Sequence, residues 1–114
     1  MATFESCPTP KSQTCRVIDF DYAGVIDLGI RRLLVVAGMA PCSNMTVSLQ
    51  PLVYIRCPEF WGIEVVGCIP GDICLEALKP YVVWIDLAGI VGSEGIEVIG
   101  AAKTEKIPLK GGCS

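Results

Sequence analysis

Short alternating segments separated by turn residues constrain this chain more than any other feature of its sequence. Apolar and polar side chains alternate over 46–50, 61–66 and 81–88, and turn signals recur about every 8–12 residues. No segment with a helical period is longer than about seven residues. This spacing predicts an all-β fold, an antiparallel β-sandwich of Ig-like general shape with about seven to eight short strands. A mixed α+β fold is the alternative.

Two connections carry local signals of their own. Asp72 is a good N-cap residue, and the apolar residues that follow it predict one short helix near 73–78. The glycine-rich segment 89–95 lacks the lysine and the spacing of a phosphate-binding loop, so it predicts a hairpin between two strands.

The length of 114 residues suits one domain. We expect an extended N-terminal arm over 1–15, because prolines interrupt it, and a single β-rich domain over 16–110. Residues 111–114, which include two glycines, are expected to form a loose tail.

Composition favours association and excludes several chemistries. Hydrophobic residues make up 52 % of the chain and charged residues 18 %, which is more apolar than a typical soluble domain. Surplus apolar surface usually marks an interface, so we predict a homo-oligomer or another protein partner. The net charge of −3 disfavours nucleic acid as a partner. The lack of histidine excludes Ser-His-Asp triads, Cys-His dyads and histidine-ligated metals.

No segment predicts insertion into a membrane. The uncharged run 33–55 is interrupted by Pro41 and Pro51, and its continuous apolar part is about half of what a bilayer requires. The first residues lack the apolar core of a secretory signal. The sequence therefore predicts no membrane partner, and a location in the cytoplasm or in a particle assembled there.

The sequence does not determine whether its seven cysteines are reduced, bonded in disulfides or chemically reactive. Their number is odd and no pair has the C-x-x-C spacing of metal or redox sites. We expect most of them to be reduced and buried, as free cysteines usually are. The disulfide candidates are the pairs closest in sequence, Cys68 with Cys74 and Cys7 with Cys15. Cys74, just inside the expected helix start, is the one with a hint of thiolate activation.

Three aspartates form the best candidate for a charged site. Asp19 and Asp21 share one face of a strand expected over 17–22, and Asp27 follows shortly after. Such carboxylates can bind a divalent cation or act as an acid and a base. A solvated strand face is the alternative interpretation, and the spacing excludes a calcium loop of the EF-hand type.

Aromatic residues provide the candidate contacts for a ligand or a subunit. Trp84 lies out of phase with Val83 and Ile85, which predicts that it points outward. An outward tryptophan is a good interface anchor. The further candidates are Tyr54, Tyr81 and, for a polar rim, Arg56.

These features favour a non-enzymatic β-sandwich that acts through self-assembly or protein–protein contact, as a structural or adaptor subunit. One alternative is a small-molecule-binding module with an apolar pocket. Another is a small enzyme that uses aspartate or cysteine chemistry. The sequence predicts no catalytic constellation, no metal site and no cofactor.

Overall fold

The computed structural model describes residues 13–114 and has eight strands and no helix in that part of the chain. The strands are β1 (Gln13–Val17), β2 (Tyr22–Asp27), β3 (Arg32–Ala40), β4 (Thr46–Pro51), β5 (Phe60–Pro70), β6 (Lys79–Asp86), β7 (Gly95–Ile99) and β8 (Thr104–Pro108). They form two sheets that pack face to face, so the predicted β-sandwich is confirmed.

The large sheet contains β1, β4, β5, β7 and β8, and the small sheet has the order β2-β3-β6. β5 is the longest strand and pairs with β4, β1 and β7. β1 pairs with residues 66–70 of β5 and β7 with residues 60–64, whereas β4 pairs with residues 63–68. Because the pairing with β4 overlaps both of the others, β1 and β7 share one edge of β5 and β4 occupies the opposite edge.

The core lies between the two sheets. Leu34 and Val36 project inward from β3 and are fully buried. Ile63, Val65 and Ile96 meet them from the large sheet and are also fully buried. Apart from the hydroxyl of Tyr81, the side chains buried among residues 13–114 are apolar, so this core depends mainly on apolar packing.

The helix expected near 73–78 does not form. Asn44 accepts a hydrogen bond from the Leu75 N–H (3.2 Å) and donates one to the Ile73 carbonyl (2.8 Å). The Leu75 carbonyl accepts a bond from the Ser43 N–H (2.8 Å). Tertiary partners thus take the backbone groups that a helical turn would pair within itself.

The strand expected over 17–22 is divided between the sheets. β1 ends at Val17, and the Ile18 N–H still donates to Val65 of the large sheet (2.9 Å). The Asp21 N–H already donates to Ala37 of the small sheet (2.9 Å). Ile18 and Phe20 are buried as expected, because the crossing segment stays extended and keeps the alternation.

The hairpin expected over 89–95 is replaced by a crossing between sheets. β6 belongs to the small sheet, whereas β7 pairs with β5 of the large sheet in parallel. Because β6 and β7 do not pair with each other, residues 87–94 cannot form a hairpin, and they carry the chain from one sheet to the other.

Six of the seven cysteines are joined in disulfides, so the expectation of mostly reduced thiols is wrong. The bonds are Cys15–Cys68, Cys42–Cys74 and Cys57–Cys113. Cys68 therefore does not pair with Cys74, because the register of β1 on β5 places Cys15 directly opposite Cys68. Cys74 bonds to Cys42, so it is not an activated thiolate. The expected Cys7–Cys15 bond is also wrong, because Cys15 bonds to Cys68; Cys7 itself lies outside the described residues.

The chain termini also differ from expectation. Residues 13–15 of the expected arm belong to β1, and the rest of that arm lies outside the described residues. The expected loose tail is anchored, because Cys113 bonds to Cys57 and its N–H donates to the Val91 carbonyl (3.0 Å). Gly112 comes so close to Gly92 that a side chain there would meet the Val91 and Gly92 carbonyls.

Candidate functional site

The small sheet has one face on the core and a second face that no described residue covers. The outer face consists of the residues that alternate with the core positions of its strands. They are Tyr22 and Ile26 of β2, Leu33, Val35, Ala37 and Met39 of β3, and Val82 and Trp84 of β6. The strand register places Trp84 beside Val35, and Tyr22 and Val82 on either side of Ala37.

Exposed apolar side chains are concentrated on this face. Of the twelve large hydrophobic residues that are exposed within residues 13–114, five lie on the outer face and two, Leu28 and Ile30, lie in the adjoining β2–β3 turn. Trp84 is 63 % exposed and Val82 is 69 % exposed. Contiguous apolar surface of this kind marks interaction sites in soluble proteins.

Charge occurs only at one end of the outer face. Asp86 is the last residue of β6, opposite Leu33, and its Oδ2 atom lies 3.2 Å from Nε of Arg31. The centre of the face presents no ionisable group other than the hydroxyl of Tyr22. A charge-free centre with a polar margin is the usual anatomy of a protein interface.

Trp84 lies on the outer face, whereas the other aromatic candidates lie elsewhere. Tyr54 packs edge-on against Trp61 with ring centroids 5.0 Å apart, and its hydroxyl accepts the Gly62 N–H at 3.1 Å. Trp61 donates its indole N–H to the Leu52 carbonyl at 2.9 Å. These contacts hold the β4–β5 connection in place, and they leave Tyr54 distant in the fold from Trp84.

Tyr81 and Arg56, the two remaining candidates for this site, do not lie beside Trp84 on the outer face. Tyr81 is on β6 with Trp84, but it faces the core and is buried. Its hydroxyl donates to the Asp19 carbonyl at 2.9 Å. Arg56 is exposed in the connection between β4 and β5. The structure therefore does not gather the four candidates into one pocket.

The structure separates Asp27 from the other two acidic candidates, because Asp19 and Asp21 precede β2 and Asp27 is its last residue. The Asp19 carboxylate accepts the Ala102 N–H at 2.8 Å, and the Asp27 carboxylate accepts the Gly29 N–H at 2.8 Å in the turn after β2. Asp21 is exposed just before β2, at the opposite end of that strand from Asp27. Over residues 13–114, no three acidic, histidine or cysteine side chains come together as a group that could hold a metal ion.

Burial, together with the charges of Asp21 and Asp19, raises the pKa of Tyr81 to about 12. In the unfolded chain a tyrosine ionises near pH 10. Because the folded state holds this proton more tightly, we expect its stabilising contribution to be complete below about pH 10. That contribution falls as pH rises from about 10 to about 12.

The measurement is the free energy of unfolding against pH for the natural chain and for Tyr81→Phe. We expect the variant to lose part of the alkaline slope and to lack the phenolate absorbance step near pH 12. A Tyr81 absorbance step near pH 10 in the folded protein would contradict this assignment.

Sequence reasoning found Trp84 but missed the extent of the outer face. The run 33–40 indicates a strand buried on both sides, because an uninterrupted apolar strand is typical of buried sheets. In the structure only its alternate residues, such as Leu34 and Val36, reach the core. The apolar residues between them, with Tyr22 and Ile26 of the neighbouring strand, were the available signal.

Within residues 13–114, no helix has the length and apolar character needed to cross a membrane. Comparison of the chain with protein-family models, curated proteins and solved structures finds no match.

Proposed function

We propose that this protein is a non-enzymatic β-sandwich subunit that assembles with a second copy of itself through the outer face of the small sheet. The observation that carries the proposal is the concentration of exposed apolar side chains on a sheet face whose centre has no charge. Burial of such a face removes apolar area from water at a gain of about 25 cal/mol per Å².

Charge complementarity favours a second copy as the occupant. A partner must present a surface that is apolar and uncharged at its centre, because an unpaired charge buried against this face would be costly. A second outer face meets this requirement by identity, and in a two-fold dimer the same patch of each copy meets that of the other. Two sheets packed face to face, about 10 Å apart, are a standard arrangement.

The area of the face agrees with a reversible dimer. Strand spacing of about 4.8 Å and a rise of about 3.4 Å per residue give the three strands of the small sheet a projected area of roughly 375 Å². Leu28 and Ile30 of the β2–β3 turn extend it. Specific interfaces begin at about 1,000 Å² in total, or about 500 Å² for each partner. We therefore expect a dimer whose population depends on protein concentration.

The disulfides support an oxidising environment for this protein. Disulfides persist in oxidising environments and are rare in the cytosol. We propose that the protein works in an oxidising environment, such as outside the cell or on the surface of a particle. This proposal replaces the cytoplasmic expectation.

The test is sedimentation equilibrium over a wide concentration range, with a matched pair of substitutions. Val82→Glu places a charge in the outer face, whereas Val53→Glu makes the same change at a valine that is 94 % exposed in the β4–β5 connection. We expect the natural chain and Val53→Glu to dimerise equally. Val82→Glu is expected to weaken dimerisation by roughly 100-fold or more, because a buried unpaired charge costs about 3 kcal/mol or more.

Thermal unfolding and near-ultraviolet circular dichroism confirm that both variants remain folded. A natural chain that stays monomeric at every concentration would overturn the proposal. So would a Val82→Glu dimer of unchanged affinity, or an equal loss with Val53→Glu, which would place the interface elsewhere.

A further inference from the structure

A cleft at one end of the sandwich combines two arginines with glycine-rich walls. It lies between the β2–β3 turn and the C-terminal segment and has a volume of about 400 Å³, within the usual range of small-ligand sites. Arg31 of the turn and Arg32, the first residue of β3, line one side, and Gly89, Gly111 and Gly112 line the facing connections. We propose that this cleft binds the oxyanion group, phosphate or carboxylate, of a small ligand.

The ion pair of Arg31 with Asp86 leaves N–H groups of the Arg31 guanidinium for a ligand. Its Nε atom lies 3.2 Å from Oδ2 of Asp86, while Oδ1 of Asp86 accepts the Ala88 N–H at 2.9 Å. The carboxylate is thus fixed by the backbone and meets the arginine at one position. A guanidinium carries five N–H donors, so the terminal amino groups of Arg31 are not used by this ion pair.

Arg32 is anchored on the opposite wall. Its Nη1 atom donates to the Lys110 carbonyl at 2.6 Å. Gly111 has a φ of 81°, which favours glycine, and a Cβ there would lie 3.8 Å from Nη2 of Arg32, in ordinary contact, so this wall leaves room for the guanidinium. Two anchored guanidinium groups at one cleft suit the planar, bidentate recognition of carboxylates and phosphates.

The C-terminal wall is fixed to the rest of the fold. The Cys57–Cys113 disulfide and the hydrogen bond from Cys113 to Val91 (3.0 Å) hold it against the sandwich. Because this wall is already ordered, binding a ligand there costs less conformational entropy. The cleft therefore does not have to assemble around its ligand.

Local charge in the cleft opposes the charge of the whole chain. Arg31 and Arg32 against Asp86 leave one positive charge in excess, whereas the chain carries −3 overall. Asp27, the register partner of Arg32, lies at the same end of the fold, so an anion is held by the guanidinium donors inside the cleft rather than by the net charge of this end, and this binding weakens with added salt. The cleft is formed within one chain, but Ile30, Arg31 and Asp86 at its rim also border the outer face, so the titration is run at a concentration where sedimentation shows the monomer.

The test is an amide chemical-shift titration of the full chain with inorganic phosphate and, separately, with acetate at constant ionic strength. We expect saturable shifts at Arg31, Arg32, Gly89 and Gly111. Tighter binding of phosphate would identify a phosphate-bearing ligand, and tighter binding of acetate a carboxylate-bearing one. Either result supports the oxyanion site.

Two variants distinguish binding by the guanidinium donors of the cleft from attraction by the overall charge of the protein. Arg31→Gln combined with Asp86→Asn removes the ion pair without changing the net charge, and we expect it to weaken binding about tenfold or more. Arg16→Gln removes an exposed arginine of β1 and is expected to leave the affinity within about twofold. Shifts that do not saturate with either anion would overturn the inference, as would equal weakening by the two variants.

Discussion

Removal of the Cys42–Cys74 disulfide by the double substitution Cys42→Ala and Cys74→Ala is expected to lower the free energy of unfolding by about 3–4 kcal/mol. The bond closes a loop with a sequence separation of 32 residues, and its loss returns that chain entropy to the unfolded state. The bond also fastens the segment after β5 to the end of β3, where Asn44 and Ser43 supply hydrogen bonds.

Urea unfolding of the natural chain and the double variant measures this effect. The matched comparison is Cys15→Ala with Cys68→Ala, which opens a longer loop, of separation 53, at the exposed residue Cys15. Loop entropy predicts a loss of about 4 kcal/mol there. Unfolding free energies within about 0.5 kcal/mol of the natural chain would show that these bonds do not constrain the protein.

Leu34→Ala is expected to lower the free energy of unfolding by about 2–5 kcal/mol. Leu34 is 0 % exposed and projects from the central strand of the small sheet toward the large sheet. The substitution removes buried methyl and methylene groups, and it leaves a cavity that packed neighbours fill only partly.

The control is the same substitution at Leu78, which is 70 % exposed in the connection before β6. We expect Leu78→Ala to change the free energy of unfolding by no more than about 0.5 kcal/mol. Both values come from urea unfolding with a shared slope. Equal effects of the two substitutions would mean that Leu34 does not occupy the core between the sheets.

The alternation of apolar and polar side chains was sufficient to predict the strands and the direction in which their side chains point. The alternation over 81–88 predicted that Trp84 faces away from Val83 and Ile85, and it is exposed in the structure. The fold class follows from the same signal, because a period of two residues places one side of each strand in the core. Side-chain alternation is a property of the backbone, so it could be read without knowledge of the neighbouring strands.

Local signals were misleading where residues distant in the chain determine the conformation. Asp72 and the apolar residues after it favour a helix locally, but Asn44 and Cys42 hold that segment in an irregular conformation. Proximity in sequence suggested a Cys68–Cys74 bond, whereas strand register decided the pairing. Six cysteines can pair in 15 ways, and nothing in their spacing selects the observed set.

The sequence by itself determined that this chain forms short strands around an apolar core, because side-chain alternation and turn chemistry act over a few residues. Only the tertiary structure decided which strands pair, which cysteines meet and which apolar face is left uncovered. It also brought Arg31 and Arg32 to the C-terminal segment, about 80 residues further along the chain. Such contacts join residues far apart in the chain, so the free energy that selects them comes from the packing of the whole domain.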